Sequence, residues 1–188
     1  ISITVLTQSR FRVLLRTVLF DWYHSEVIAI MFPPGFLGSR ADILIDIVTL
    51  SFIVILPILI ISWRMARSQK DYVNHRRIQL YLGISLAIVV SIFEYDLKMS
   101  GGIFEITKGS IYEGTALLNW TIYIHTFFSI LTSIIWVFLI AISLFKFGNP
   151  PKPNKFSRTH RIFGRAGMIC MIMAGITSPP LYYFGFVA

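Results

Sequence analysis

The sequence predicts an all-α integral membrane protein, a four-transmembrane-helix bundle built from two parallel two-helix repeats. Four apolar stretches indicate this fold, at residues 41–63, 78–97, 117–145 and 162–186. Each meets or approaches the roughly 20 residues that cross a hydrocarbon core about 30 Å thick. The composition agrees, because 55% of the residues are hydrophobic and 14% are charged, whereas about 25% are charged in soluble domains.

The distribution of basic residues predicts the topology. Residues 64–77 contain five Lys and Arg, residues 146–165 contain six, and the link at residues 96–116 contains two, Lys98 and Lys108. The positive-inside rule therefore places both basic segments in the cytoplasm and both termini outside. Membrane topology thus accounts for the net charge of +8. The lipid bilayer is the expected partner, and no nucleic-acid partner is expected.

The chain divides into an N-terminal segment, residues 1–38, and the four-helix transmembrane domain, residues 39–188. The N-terminal segment is apolar in part but is interrupted by charged residues such as Arg12, Arg16 and Asp21. A spanning helix is disfavoured by charges at its centre, at about 2.5–3.5 kcal/mol each. We predict an interfacial segment, or upstream sequence that precedes a natural start at Met31.

An internal repeat organises the transmembrane domain. Each unit consists of a helix, a basic link and a second helix, with WRMARSQKDYVNHRR in the first unit and KFGNPPKPNKFSRTHR in the second. His75 with Arg76 and His160 with Arg161 occupy the same place, where the second helix of each unit begins. Two helix pairs with the same sense in the membrane form a parallel repeat.

Polar residues within the apolar helices predict a metal site near the outer end of the bundle. Antiparallel packing is expected to bring Asp46, Glu94, Asp96 and His125 into one layer. Carboxylates and an imidazole from separate helices form metal sites in bundle cores, and this donor set suits a transition metal such as iron or copper. Two alternatives need no metal: Glu94 pairs with Lys98 at i+4, or His125 only forms a hydrogen bond to another helix.

His75 and His160 predict a second candidate site, a haem with two histidine ligands. The two residues are expected at similar depth on different helices. Neighbouring arginines would then meet the haem propionates, or would contact lipid headgroups or a partner protein; these are Arg76, Arg77, Arg161 and Arg165. As an alternative, each imidazole only caps or hydrogen-bonds the backbone.

Several short motifs resemble one known family. They are PPGFLGSRA at 33–41, VNHRRIQLYLG at 73–83, FEYD at 93–96, YIHTFFS at 123–129, FGNPPKP at 147–153 and SRTHRIFGR at 157–165. In this order they look like domain-of-unknown-function family 420, the CtaM/YozB-like membrane proteins, over residues 31–188. The family's histidines correspond to His75, His125 and His160. Many relatives have a further histidine near the outer end of the second helix, where this chain has Glu94, Tyr95 and Asp96.

The resemblance implies a function in respiration. Members of the family accompany haem–copper oxidases and Sco-type copper chaperones. The chain is therefore expected to be a non-enzymatic protein of the bacterial inner membrane that assists maturation of a haem–copper cytochrome oxidase, by metal or haem insertion. Expected partners are oxidase subunits or a copper chaperone, and expected cofactors are copper, iron or haem. The alternative function is a membrane redox protein with a bound b-type haem.

Overall fold

Five helices form the part of the chain that the structure, a computed structural model, describes: residues 33–188. In chain order they are α1 (Ile43–Arg64), α2 (Tyr72–Met99), the single turn α3 (Ile103–Ile106), α4 (Ala116–Lys146) and α5 (Ser157–Tyr182). Two π-helical turns, Met65–Gln69 and Tyr183–Val187, extend α1 and α5. The four long helices are long and apolar enough to cross a membrane. The predicted four-helix bundle is confirmed.

Helices α2 and α5 begin earlier than their apolar stretches. Helix α2 starts at Tyr72 rather than at residue 78, and α5 starts at Ser157 rather than at residue 162. Asp71 caps α2, because its carboxylate accepts a hydrogen bond from the Asn74 backbone N–H at 3.0 Å. The polar first turns therefore continue the helices beyond the apolar stretch. His75 and His160 consequently lie inside helices rather than beside them.

The most extensive helix packing joins α4 and α5, and a glycine permits it. A Cβ atom on Gly167 would lie only 3.0 Å from Ile135 and 3.1 Å from Trp136, so a larger residue would push the helices apart. The adjoining core consists of Ile55, Leu59, Trp136 and Met171. Helix α2 lies at the periphery of the bundle, and Asp96 is its one buried residue in the described part of the chain.

Residues 33–42 form a loop that packs onto the bundle. The Leu37 N–H donates to Asp46 at 2.8 Å, and Arg40 donates to the carbonyl groups of Lys108, Gly185 and Ala188. The domain boundary that we expect between residues 38 and 39 falls within this loop. The predictions of an interfacial segment and of a start at Met31 concern residues 1–32, which lie outside the described residues.

Candidate functional site

His75 and His160 lie side by side at one end of the bundle. Their ring centroids are 6.2 Å apart, and the ring planes are nearly perpendicular, at 88°. The links α1–α2 and α4–α5 lie at the same end, where Arg76 Nη1 donates to the Gly148 carbonyl at 3.1 Å. We call this the basic end, because residues 64–77 and 146–165 contain eleven Lys and Arg and one acidic residue, Asp71.

A serine of the preceding long helix contacts each histidine through Nδ1. Ser62 Oγ lies 2.9 Å from His75 Nδ1, and Ser143 Oγ lies 2.9 Å from His160 Nδ1. Each unit of the repeat thus contains the same Ser–His contact between its two helices. The serine and the histidine are 13 residues apart in the first unit and 17 in the second, because the α4–α5 link is longer than the α1–α2 link. Because Nδ1 of each histidine contacts a serine, Nε2 is the ring nitrogen that would bind a ligand.

Backbone contact determines the tautomer of His75. Its Nδ1 also lies 2.9 Å from the Ser62 carbonyl oxygen, which can only accept a hydrogen bond. Nδ1 therefore carries the hydrogen, and the lone pair of the neutral ring is on Nε2. Histidines that bind metals usually donate their other ring N–H to a carbonyl or carboxylate in this way. His75 is therefore prepared to act as a ligand through Nε2.

The separation of the two rings leaves room for one shared metal ion if both Nε2 atoms face the gap between them. A metal held in line between two imidazole nitrogens, at about 2.0 Å from each, separates the ring centroids by about 6 Å. The observed value is 6.2 Å. Two neutral imidazoles are suitable donors for copper, zinc, nickel or iron, including the iron of haem. His75 and His160 thus lie close together on different helices, and their binding of a haem stays a prediction.

Apolar and hydrogen-bonded groups surround the pair. The rings of Phe147 and Phe156 lie 5.4 and 6.2 Å from the His160 ring. On the other side, Gln79 Nε2 donates to Ser62 Oγ at 3.1 Å, and Ser62 is fully buried. These groups hold the two rings in place, and both histidines are half-buried.

The basic residues around the histidines lack acidic partners among the described residues. Within residues 33–188 the single ion pair joins Lys108 and Glu105, far from this end. Arg77, Arg161 and Arg165 are exposed, whereas Arg76 is half-buried. Asp71 is half-buried, and the hydrogen bond from the Asn74 N–H lowers its pKa below the ordinary value of 3.8. The basic end is thus a surface of uncompensated positive charge that suits anionic groups.

The predicted metal site at the other end of the bundle is not formed. We call this the far end; it comprises residues 33–42, 100–115 and 183–188. Among the described residues, no group of three or more His, Cys, Asp and Glu side chains is placed to hold a metal ion. The expected set of Asp46, Glu94, Asp96 and His125 is therefore not gathered into one ligand group among the described residues, and the four side chains have different surroundings.

Asp46 is a structural residue of the far end. Its side chain is fully buried, Oδ1 accepts from the Tyr182 hydroxyl at 2.6 Å, and Oδ2 accepts from the Leu37 N–H at 2.8 Å. Ser39 Oγ lies 2.6 Å from the same hydroxyl. Both carboxylate oxygens are thus engaged in joining α1 to α5 and to the loop.

Glu94 and Asp96 point to different sides of α2. Two positions along a helix correspond to a rotation of about 200°, so only one of them can face the bundle. Asp96 is buried and lies beside Asp42, whereas Glu94 is exposed. Glu94 forms no ion pair with Lys98 in the described part of the chain. Glu94 therefore cannot join a ligand set inside the bundle.

His125 lies further from the far end of the bundle than Asp46. Its Nδ1 is 3.1 Å from Thr177 Oγ1, its Nε2 is 3.3 Å from Ser129 Oγ, and its ring packs edge-on against Phe52. Phe52 is six residues beyond Asp46 on α1, about 9 Å along the helix axis. The Thr177 hydroxyl donates to the Met173 carbonyl at 2.8 Å, so it accepts from Nδ1. This geometry agrees with the alternative in which His125 forms a hydrogen bond to another helix.

Several residues that shape these sites were not predicted from the sequence. They are Ser62, Gln79 and Ser143 at the basic end, and Arg40 and Tyr182 at the far end. A signal for the two serines exists, because each precedes a basic residue at the end of its apolar stretch, in ISWR (61–64) and ISLFK (142–146). No comparable signal identifies Arg40 or Tyr182, whose partners are distant in sequence.

Comparisons of the chain with protein-family models, with curated proteins and with solved structures find no match. The resemblance to domain-of-unknown-function family 420 is therefore a prediction that rests on the motifs alone.

Proposed function

We propose that this protein holds a transition metal ion or a haem between His75 and His160 while a haem–copper cytochrome oxidase is assembled in the bacterial inner membrane. The protein itself is not an enzyme in this proposal. The observation that carries the proposal is the pair of imidazoles from separate helices, 6.2 Å apart. The association with an oxidase depends on the family resemblance.

The hydrogen bonds of the pair support ligand binding. The Ser62 carbonyl keeps the hydrogen of His75 on Nδ1, and Ser143 contacts Nδ1 of His160. Outer contacts of this kind orient metal-binding histidines and increase their basicity. A bound metal would supply the centre that is transferred to the oxidase. The residues of this chain would hold it, orient the two imidazoles and exclude water.

The arginines also support a ligand site at the basic end of the bundle. Arg77, Arg161 and Arg165 are exposed beside the pair, and Arg76 joins the two links. Such residues bind anionic groups as charge-assisted hydrogen-bond donors. In the proposal they contact haem propionates, lipid headgroups, or acidic surfaces of oxidase subunits or a copper chaperone. The basic end faces the cytoplasm in this arrangement, in agreement with the positive-inside rule.

Complementation in a bacterium that contains the gene tests the function. Deletion of the gene is expected to decrease assembled oxidase, measured from the haem absorbance of membranes and from oxygen consumption. The wild-type gene is expected to restore both quantities, whereas His75→Gln and His160→Gln are not. The control is His125→Gln, a histidine outside the pair. Full restoration by the His75→Gln and His160→Gln variants, at equal protein level, would refute the proposal.

A second function is favoured by the orientation of the rings. Perpendicular imidazoles on different helices, with centroids 6.2 Å apart, are suitable axial ligands for one haem iron. The second candidate function is therefore that of a b-type haem protein, which transfers electrons from quinol. The two functions differ in the absorbance of purified protein, because a redox protein requires a stoichiometric Soret band. Protein without haem, together with oxidase that depends on the gene, excludes the redox function.

A further inference from the structure

The His75–His160 pair is a ligand set of two. Among the described residues, no third His, Cys, Asp or Glu side chain joins it to make a group of three. Zinc sites usually contain four ligands, three or four of them from the protein. Magnesium, calcium and manganese prefer six or more oxygen ligands. The number of protein ligands therefore disfavours these divalent ions.

Electrostatics also disfavours a divalent ion. Residues 64–77 and 146–165 contain eleven Lys and Arg against the single acidic residue Asp71. Repulsion between these charges and a bound cation is proportional to the charge of the cation. The repulsion is therefore twice as large for a divalent ion as for a monovalent ion at the same position. Neutral imidazoles add no negative charge to offset it.

The surroundings of the pair favour a low coordination number. Phe147 and Phe156 pack around His160, and Ser62 is buried beside His75. The two aromatic rings occupy part of the space beside His160 in which water molecules could complete a coordination sphere. Cu(I) has a filled d shell, binds imidazole nitrogen and is satisfied by two donors in line, so it needs no additional water.

We infer that the His75–His160 pair is a two-coordinate site for a monovalent d¹⁰ cation, Cu(I). The inference rests on the proposed function and specifies the ligand of its site. An in-line site requires both Nε2 atoms to face the gap between the rings, and the ring separation of 6.2 Å leaves room for one ion there. Ag(I), which has the same charge and a filled d shell, is expected to bind at the same position. Copper remains Cu(I) throughout, so binding requires no oxidant or reductant.

Metal titration of the purified full-length protein tests the inference. Cu(I) is added without oxygen, in competition with a chromogenic Cu(I) chelator, and Ag(I) and Zn(II) are added in parallel. We expect one Cu(I) or Ag(I) per chain and much weaker binding of Zn(II). His75→Gln and His160→Gln are each expected to weaken Cu(I) binding at least about 100-fold, the upper range for loss of a supporting contact. His125→Gln, the matched control, is expected to bind like wild type.

A second variant separates a ligand from a structural residue. His75→Met removes the Nδ1 contact with Ser62 but supplies a thioether, a donor that selects Cu(I) over Zn(II). We expect this variant to retain most of its Cu(I) and Ag(I) affinity and to bind no Zn(II). A structural histidine predicts instead that His75→Met and His75→Gln behave alike. X-ray absorption of the Cu(I) protein is expected to show two nitrogen neighbours.

Three outcomes would overturn the inference: Zn(II) binding as tight as Cu(I), Cu(I) binding that is unchanged in both histidine-to-glutamine variants, or a stoichiometric Soret band that is lost in those variants. The last outcome identifies haem as the ligand of the pair, and the complementation experiment then separates the assembly role from the redox role. The proposed function alone would be refuted by a different pair of results. In that case the purified protein binds Cu(I) through His75 and His160, but the oxidase is assembled normally in bacteria that carry the His75→Gln or His160→Gln variant.

Discussion

Tyr182 donates a hydrogen bond of 2.6 Å to Asp46, and this contact joins the end of α5 to the first turn of α1 across 136 positions of the sequence. The same carboxylate accepts from the Leu37 N–H, so one buried side chain connects two helices and the loop at residues 33–42. An intramembrane carboxylate is a candidate functional residue by default. Here its two oxygens are occupied by structural contacts.

Loss of the Tyr182 hydroxyl is expected to destabilise the protein. Tyr182→Phe leaves the buried Asp46 carboxylate without one of its two donors, which lowers the free energy of unfolding by about 1–3 kcal/mol. The measurement is reversible unfolding in mixed micelles with increasing denaturing detergent. Tyr183→Phe is the matched control, because Tyr183 is 51% exposed. Equal stability of the two variants would show that the Tyr182–Asp46 contact contributes nothing.

Gly35→Ala is expected to displace the loop at residues 33–42. A Cβ atom on Gly35 would overlap the Asp46 carboxylate and approach the Ala41 carbonyl oxygen to 2.8 Å. Overpacking of this kind costs about 1–3 kcal/mol, measured by the same unfolding experiment. For comparison, a Cβ atom on Gly148 meets nothing closer than 3.8 Å, so Gly148→Ala is expected to be nearly neutral. A stable Gly35→Ala variant would contradict the close packing of the loop.

The orientation in the membrane can be tested with cysteine probes. Glu113 is exposed at the far end, and Ser68 and Asn154 are exposed at the basic end. The background is Cys170→Ser, which removes the single cysteine. A membrane-impermeant maleimide added to intact cells is expected to label a cysteine at position 113 but not at 68 or 154. The reverse pattern would invert the topology.

The cap of α2 is expected to weaken in acid. The Asn74 N–H lowers the pKa of Asp71 below 3.8, so the cap stabilises the folded state above the unfolded pKa, and this stabilisation is lost as pH falls through the folded pKa. A carboxyl carbon titration by NMR is expected to place the pKa of Asp71 below 3.8. In Asn74→Ala the pKa is expected to rise toward that value, because the side-chain donor is lost. An unshifted pKa would show that the cap is open.

Ser143 is expected to position His160 for metal binding. Ser143→Ala removes the 2.9 Å contact to Nδ1, and loss of such a contact typically weakens metal affinity about 10–100-fold. The measurement is the Cu(I) competition titration. Ser133→Ala is the control on the same helix, because Ser133 is exposed and bonds only the Ser129 carbonyl. Equal affinity of the two variants would show that Ser143 has no influence on the site.

Local sequence determined the helices, because the apolar length needed to span a bilayer and the charges at helix ends depend on neighbouring residues alone. The repeat with His75 and His160 could also be recognised, since both units place a His–Arg pair after a basic link. The depth of each polar side chain in the bundle, and the direction in which it points around the helix axis, were harder to predict from the sequence. The predicted metal site included both Glu94 and Asp96 because both lie near the end of α2. A step of two residues, however, turns the side chain to the opposite side of the helix.

Tertiary structure alone decided which polar groups meet. The contacts of Ser62 with His75 and of Ser143 with His160 depend on how the helices of each unit pack, and the 6.2 Å approach of the histidines depends on how the two units pack together. Likewise, Tyr182 and Leu37 reach Asp46 only when α5 and the loop at residues 33–42 pack against α1. Buried polar groups take whichever partners the packed helices present, and a sequence pattern with a period of one helical turn contains no information about those partners.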